Sequence, residues 1–229
     1  MYKKLFKKIK NLIFKTTCSI WFEKTLKEIP DPLPPDIDIS LKFFMEDISI
    51  LSDWLRLHHS TFPWLYFRKE IDSAKANNHI YASIFHQDNI IGYIKIGLNN
   101  VYIHDFDKVV HFPSNVALIY DIFVLPECRG RHIAPYAVTE ANQFLKQRGV
   151  EYVWCHIEGW NHASIKTFQK IGFKKKASIR FSRLLGFPFF LRNGYKPLKS
   201  LEAFWETYYE MSQDKSIKIK DRVHGFQRN

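Results

Sequence analysis

Asp121 is the first residue of this chain whose type and position indicate chemistry. It interrupts an apolar run over residues 117–124, and a carboxylate in such a run is either desolvated or directed at a pocket. A carboxylate there can take a proton from an attacking nucleophile or serve as a structural hydrogen-bond acceptor. Tyr120 is a second titratable group, and side-chain alternation predicts that it faces the other side of the sheet. His156 and Glu158, near the end of the next predicted strand, are reserve candidates for the proton-accepting role.

A short basic loop follows the apolar run. Residues 129–134 read Arg-Gly-Arg-His-Ile-Ala, and an amphipathic helix is predicted to begin near Ile133. The free N–H groups of a first helical turn and the helix dipole attract anions, and Arg129 and Arg131 add positive charge. The pattern predicts an anion site, although a strand-to-helix turn with two solvated arginines has the same signature.

Two stretches together indicate a family. Residues 119–134 carry a strand ending in Val-Leu-Pro and then the basic loop, while residues 161–173 begin with Asn161 and end with Gly-Phe. The pair resembles the GNAT superfamily of acyl-CoA-dependent N-acyltransferases, strongly over residues 117–173 and more loosely over 37–196. Two positions depart from the family pattern. His132 stands where the family usually has glycine, and Phe168 stands where it has a tyrosine that protonates the leaving thiolate.

The resemblance implies an activity and a set of site residues. It implies an N-acetyltransferase that moves an acetyl group from acetyl-CoA, or another acyl-CoA, to a primary amine of a small molecule or amino sugar by direct attack. The alternatives are a long-chain N-acyltransferase of the N-acyl amino acid synthase type and a non-catalytic module that binds CoA or a membrane. No metal is implied. The implied catalytic residues are Asp121 and Tyr120. The implied cofactor-binding residues are Ile122, Phe123 and Val124, where the family strand has a bulge, the loop Arg129, Gly130, Arg131, His132, Ile133 and Ala134, and also Asn161 and Phe168.

The order of predicted elements indicates an α/β (α+β) fold. The resemblance implies a GNAT fold, with a central mixed, twisted sheet of about six or seven strands flanked by helices on both faces. Strands are predicted near residues 37–43, 80–85, 90–96, 117–124, 152–157, 177–185 and 187–192. Helices are predicted near residues 45–59, 65–76, 134–148, 161–170 and 198–211. Asn161 is expected to cap its helix.

The positive charge is concentrated at the N-terminus. The net charge is +11, and residues 1–28, with eight lysines and two glutamates, contribute +6 of it. This concentration of charge in one segment argues against a nucleic-acid-binding body. Residues 2–20 are predicted to form a basic amphipathic helix, which either lies on an anionic membrane surface or docks on its own domain or a partner. The predicted divisions are this segment (1–28), a proline-rich linker (29–36), the acyltransferase domain (37–196) and a C-terminal helix with a polar tail (197–229).

Cysteine usage indicates the cellular compartment. The cysteines Cys18, Cys128 and Cys155 form no disulfide framework and have no metal-ligand spacing, as is typical of a reducing compartment. We therefore expect a cytoplasmic protein, with peripheral contact to the inner face of the membrane as the alternative. The expected partners are a CoA thioester and a small amine. The oligomeric state stays open, with a dimer as one option.

Overall fold

The computed structural model describes residues 14–45, 49–58, 60–62, 79–103, 108–184 and 187–194, and within this part of the chain one mixed sheet dominates. Its eight strands lie in the order β10-β9-β1-β8-β7-β4-β3-β2. They are β1 (Phe14–Thr25), β2 (Ser40–Phe44), β3 (Ile80–His86), β4 (Asn89–Leu98), β7 (Val116–Val124), β8 (Tyr152–Glu158), β9 (Lys174–Leu184) and β10 (Phe187–Gly194). Two further strands, β5 (Asn100–Ile103) and β6 (Lys108–His111), pair with each other. The helices are α1 (Ser49–His58), α2 (Ile133–Lys146) and α3 (His162–Lys170).

The sheet is mixed because of a single kind of connection. Strands β7 and β8 are parallel, and α2 provides the crossover between them, whereas the other neighbouring strands are antiparallel. A parallel pair needs such a crossover because the chain must return to the same edge of the sheet. Both α2 and α3 therefore follow the carboxyl end of a strand, and these two ends lie side by side.

The first strand corrects the prediction for the N-terminus. The helix predicted over residues 2–20 is wrong from residue 14 onward, because β1 lies inside the sheet, between β8 and β9. Lysine spacing in the preceding residues favours a helical interpretation, whereas pairing with strands at least 127 residues away decides the outcome. Trp21 and Phe22 are fully buried, one on each face, as expected of an interior strand. The sheet thus begins before the predicted domain start at residue 37.

Other predictions fall outside the described residues or are confirmed. Residues 1–13 lie outside the described residues, so membrane-surface binding by this segment stays a prediction. The helices predicted over 65–76 and 198–211 also lie outside the described residues and stay predictions. In the described part of the chain no helix is long and apolar enough to span a bilayer. The predicted strands of the sheet and the helices that follow β7 and β8 are confirmed. The sheet has one strand more than the upper predicted number because β1 joins it.

The two faces of the sheet carry different layers. On one face α2 and α3 pack over an aliphatic core that includes Ile94, Ile119 and Ala137. On the other face Leu51 and Leu55 of α1 pack against an aromatic cluster. We call this the aromatic layer, which consists of Trp54, Phe62, Tyr81, Tyr93 and Phe123. The polar residues of the candidate site lie on this second face.

Candidate functional site

A β-bulge at Tyr120 organises the site. In the pairing of β4 with β7, Lys95 lies opposite Asp121, but Ile96 lies opposite Ile119, so Tyr120 is the extra residue. A bulge breaks the alternation of side chains. The bulge thus lies at Tyr120, two residues before the stretch 122–124 where the family resemblance implied it.

The bulge also overturns the prediction that Tyr120 and Asp121 face opposite sides. Tyr81 and Asp121 both lie in register with Lys95, on opposite sides of β4, and so share its face of the sheet. The hydroxyl of Tyr120 lies 3.3 Å from the hydroxyl of Tyr81. Because the extra residue shifts the phase of the strand, Tyr120 and Asp121 both direct their side chains to the face that carries the aromatic layer.

An opening between two strands begins at the same point. Strands β7 and β8 pair only as far as Ile119 and Cys155, although β7 continues to Val124 and β8 continues to Glu158. The main chain of residues 122–124 pairs with β4 on one edge and faces this opening on the other. Main-chain groups at such an edge are available to a ligand, because no strand in the described part of the chain pairs with them on that side.

Asp121 is anchored through one of its two oxygens. The hydroxyl of Tyr93 donates to Oδ2 at 2.7 Å, and Nζ of Lys95 lies 3.2 Å from the same oxygen. The side chain of Lys95 is 1% exposed, whereas that of Asp121 is 33% exposed. Within the described residues, no donor contacts Oδ1 of Asp121. The carboxylate is thus held through Oδ2, while Oδ1 is left without a donor among the described residues.

Tyr120 belongs to a separate buried network with a histidine. Nε2 of His79 donates to the carbonyl of Asn100 at 2.8 Å, and Nδ1 lies 3.3 Å from the hydroxyl of Tyr120. Burial lowers the pKa of His79, so the neutral imidazole is favoured and Nδ1 can accept a hydrogen bond. The Tyr120 hydroxyl is therefore directed across β4 toward β3, away from the opening beside β8.

The basic loop presents main-chain donors. Gly130 has φ of 79° and His132 has φ of 57°, and a Cβ at Gly130 would meet no atom within 4 Å. In the described part of the chain, the N–H groups of residues 130–134 have no hydrogen-bond acceptor, and His132 forms no side-chain cap on α2. Five consecutive free donors beside a helix N-terminus can bind an anion such as a diphosphate.

Arg129 connects this loop to the end of β7. Its Nε donates to the carbonyl of Val124 at 2.8 Å, and its guanidinium carbon lies 5.4 Å from the ring centroid of Phe123. The loop conformation is therefore coupled to the strand edge at the opening. Arg131 is exposed, as are most of the loop residues.

His132 is turned away from the donors of the loop. Its Nδ1 lies 3.2 Å from Oδ1 of Asp36, and the N–H of Asp36 donates to the carbonyl of Arg131. The proline-rich segment thus lies against the outside of the loop. The departure from glycine at this position places an imidazole against Asp36, where it does not fill the space over the N–H groups.

The two downstream residues have defined structural roles. Oδ1 of Asn161 accepts a hydrogen bond from the N–H of Ser164 at 3.2 Å, which confirms the predicted cap of α3. Phe168 is 3% exposed and packs edge-on against Phe173. Since α2 and α3 follow neighbouring parallel strands, the loop at 129–134 and Asn161 lie at the same edge of the sheet. The structure thus brings the loop, the opening and Asp121 together, with Phe168 in the core beneath.

Strand β8 borders the opening from the other side. Nδ1 of His156 lies 3.4 Å from the hydroxyl of Ser19, and its ring stacks on Trp21 with centroids 4.9 Å apart. Leu118 and Trp154 are opposite each other in register, so His156, two residues on, is directed to the face that carries Tyr120. Glu158 follows two residues later on the same face.

Three site residues were missed by the sequence analysis. Tyr93, Lys95 and His79 contact Asp121 or Tyr120, yet only Lys95 carried a signal. It interrupts the apolar run of residues 90–98, as Asp121 interrupts its own run. Two opposite charges within adjacent apolar strands are a pattern that predicts a buried pair.

Comparison with known proteins identifies the family. Residues 48–173 match the family described as acetyltransferase (GNAT) family, which is more than half of the chain. The chain belongs to the GNAT family of acetyltransferases. The matched family is one of acetyltransferases, and the family uses acetyl-CoA. Strand β1, inside the sheet, lies outside the matched residues.

Individual relatives agree with this assignment. An uncharacterized N-acetyltransferase of Methanocaldococcus jannaschii is 34% identical over 67 residues, which are 28% of this chain and 29% of that protein. A GCN5-related N-acetyltransferase from Sphaerobacter thermophilus superposes with a TM-score of 0.52 at 14% identity, over 85% of this chain and 58% of the other. A fungal GCN5-related glucosamine N-acetyltransferase region has a TM-score of 0.53 at 19% identity, over 79% and 22%. These two structures establish the fold.

A separate cavity lies at the other end of β8. It has a volume of about 960 Å³ and is lined by Lys24, Lys170, Lys174 and Lys176 among others. Lys24 is buried, and its Nζ donates to the carbonyl of Ile171, at the end of α3, at 2.7 Å. Burial lowers the pKa of Lys24. The cavity borders the start of β8, whereas the opening borders its end, so the two are distinct.

Proposed function

We propose that this chain transfers an acetyl group from acetyl-CoA to the primary amine of a small molecule or amino sugar, by direct attack of the amine on the thioester. The observation that carries the proposal is the position of Asp121. A partly exposed carboxylate, whose Oδ1 contacts no donor of the described residues, lies at the bulge, directly beside the place where β7 and β8 separate. Such a group can take the proton that the amine loses on attack.

The residues present fit the donor substrate. The diphosphate of acetyl-CoA would bind the free N–H groups of residues 130–134, with Arg129 and Arg131 contributing charge. The main chain of residues 122–124 would hold the pantetheine arm and polarise the acyl carbonyl, since N–H donors stabilise the charge that develops there. Asn161 would border the same arm while it caps α3. Acetyl-CoA itself supplies the activated acyl group.

The leaving thiolate has no tyrosine at position 168 to protonate it. Phe168 carries no proton donor and is buried, and the hydroxyl of Tyr120 is held by His79 and Tyr81. We propose that the thiolate leaves without an acid from α3. Turnover then depends on the base and on the carbonyl contacts.

The direct test is an assay of free CoA thiol. The purified protein, acetyl-CoA and a panel of primary amines, with amino sugars included, should release thiol in step with acetylated product. Asp121→Asn should lower kcat by about 10²- to 10⁴-fold, the range expected for loss of a general base, while the Kd for CoA stays within a few-fold. Unchanged kcat in this variant would remove Asp121 from the base role.

The same assay separates the alternatives. An acyl-CoA series of increasing chain length would show a maximum at long chains if the protein is a long-chain N-acyltransferase. Binding of CoA without thiol release for any amine would instead identify a non-catalytic module. The proposal requires a maximum at acetyl-CoA and release of thiol only in the presence of an amine.

A further inference from the structure

A buried lysine faces the proposed base. Lys95 lies in the middle of β4, between Ile94 and Ile96, and its side chain is almost fully buried. A lone ammonium group inside a protein is strongly unfavourable, so a lysine in such a place requires a partner of opposite charge. Asp121 is such a partner, with Nζ and Oδ2 separated by 3.2 Å.

We propose that Lys95 is a positioning residue for acetyl transfer, which, together with Tyr93, holds Oδ2 of Asp121 so that Oδ1 is directed at the acceptor amine. The proposal rests on the proposed function, because it concerns how the base of that reaction is presented. Lys95 itself touches neither substrate nor cofactor in this proposal. It acts through the carboxylate.

The contacts define the orientation of the carboxylate. Tyr93 and Lys95 are two residues apart on β4, so they share a face, and both contact the same oxygen of Asp121. Two donors on one oxygen oppose rotation of the carboxylate about its last torsion, which would otherwise exchange Oδ1 and Oδ2. Oδ1 accepts nothing from the described residues, and it is the atom left for an incoming amine.

The supports of the two donors are also fixed. The ring of Tyr93 packs edge-on against Trp54 of α1, with centroids 6.1 Å apart, and Nζ of Lys95 lies 5.1 Å from the ring centroid of Tyr93. Nε1 of Trp54 in turn donates to the carbonyl of Ile90. The base is therefore presented by groups on rigid elements, and such support is what keeps a proton acceptor in productive geometry.

A kinetic double-mutant cycle tests the proposal in the full-length protein. The measurement is kcat and KM for acceptor and acetyl-CoA in the wild type, Lys95→Met, Asp121→Asn and the double variant. Lys95→Met should lower kcat by about 10- to 100-fold with KM for acetyl-CoA unchanged, as expected for a loss confined to the transition state. The double variant should be no slower than Asp121→Asn alone, because Lys95 acts only through the carboxylate.

Conservative variants keep the test valid if Lys95→Met folds poorly. Tyr93→Phe removes a single hydroxyl and should lower kcat by about 3- to 10-fold, and Lys95→Arg should retain more kcat than Lys95→Met because a guanidinium also donates to Oδ2. Lys24→Met removes the other buried lysine, outside the site, and is the matched control, with kcat unchanged. Melting temperatures and CoA binding of every variant report folding separately from rate.

The outcomes distinguish this inference from the proposed function. If Asp121→Asn keeps the wild-type kcat, the base assignment itself fails. If Asp121→Asn is slow but Lys95→Met and Tyr93→Phe keep full kcat, only the positioning role fails. The positioning role also fails if the losses of Lys95→Met and Asp121→Asn multiply in the double variant, since independent effects would then be at work.

Discussion

Two buried lysines in this sheet have opposite surroundings. Lys95, in β4, lies against the carboxylate of Asp121, whereas Lys24, in β1, donates to the carbonyl of Ile171. Burial lowers the pKa of Lys24, because a carbonyl dipole at a helix end offsets only part of the cost of removing an ammonium from water. A carboxylate offsets more of that cost, and it is itself tied in place by the interaction.

The difference separates a site from a structural contact. At Lys95 the ionic partner is partly exposed at the bulge beside the opening, so burial of the lysine orients a group that solvent can reach. At Lys24 the partner is a main-chain carbonyl, which carries no net charge and cannot take up a proton in a reaction. We infer that the charged partner, rather than burial itself, distinguishes the two regions.

The largest effect is expected when the carboxylate of the first region is removed. Asp121→Asn removes the carboxylate that lies against the buried ammonium of Lys95, and breaking a buried pair from one side costs about 3–5 kcal/mol. We expect a free energy of unfolding lower by about 3 kcal/mol, at the low end because Asp121 is partly exposed. Urea denaturation followed by fluorescence measures it.

The asymmetry of the pair supplies the control. Lys95→Met leaves a carboxylate that can reach water, so its cost should be smaller than that of Asp121→Asn, and the double variant should recover most of the loss. Equal losses of unfolding free energy in the two single variants would show that Asp121 is as buried in solution as Lys95. The contrast between a buried lysine and a partly exposed carboxylate would then be wrong.

The second prediction concerns His79, which, like Lys24, is buried against uncharged partners in the described residues. His79 is buried with a carbonyl and a hydroxyl as partners, and burial lowers its pKa below the usual 6.5. The unfolded chain therefore binds the proton first as the pH falls, and stability is lost from about pH 6.5 down to the folded pKa. His79→Gln should lose less stability than the wild type between pH 7 and pH 5.

The measurement is the difference between the two proteins at each pH, taken from urea midpoints. Other groups titrate equally in both and cancel. If the wild type and His79→Gln lose the same stability at each pH, the folded pKa of His79 is not lowered. A group that favours the charged imidazole would then offset the effect of burial, and the two neutral partners alone would not explain the result.

The strand positions of this site were predictable, whereas the face of each side chain was not. Residues 116–124 form a strand and Pro126 follows it, because the apolar run and the proline act locally. The bulge at Tyr120 depends on how β7 aligns with β4, which no local pattern records. One inserted residue therefore placed Tyr120 on the same face as Asp121.

The N-terminus shows the same limit on a larger scale. Residues 14–25 are rich in threonine and aromatic residues, which favour a strand, but the lysines that precede them suggested a helical face. Pairing with β8 and β9 decides the conformation. The contact between His132 and Asp36 was likewise unpredictable, since it joins residues 96 positions apart.

The third prediction addresses Lys24 directly. Lys24→Met should be neutral to stabilising at pH 7, because replacing a poorly compensated buried cation by an apolar side chain removes its desolvation cost. The folded pKa of Lys24 is lowered from 10.5, so the unfolded chain holds more protons between the two values and wild-type stability rises with pH there. The advantage of Lys24→Met should therefore shrink as the pH approaches 10.5.

Thermal melts of both proteins at several pH values from 7 to 10.5 provide the check. A difference that stays constant with pH would mean that the lysine is charged in the folded state throughout this range. The carbonyl of Ile171 would then be a better partner than its chemistry suggests.

The smallest effect is expected at a pair with the same separation but different burial. His132 and Asp36 are 3.2 Å apart, as are Lys95 and Asp121, yet their side chains are 60% and 55% exposed. Asp36→Asn makes the same chemical change as Asp121→Asn, and exposed pairs contribute about 0–1 kcal/mol. We expect unfolding free energy to change by less than about 0.5 kcal/mol and the Kd for CoA by less than about 3-fold, since the imidazole is not over the loop donors. Urea denaturation and calorimetric titration with CoA measure both quantities. A loss comparable to that of Asp121→Asn would mean that distance, and not burial, sets the strength of ionic contacts in this protein.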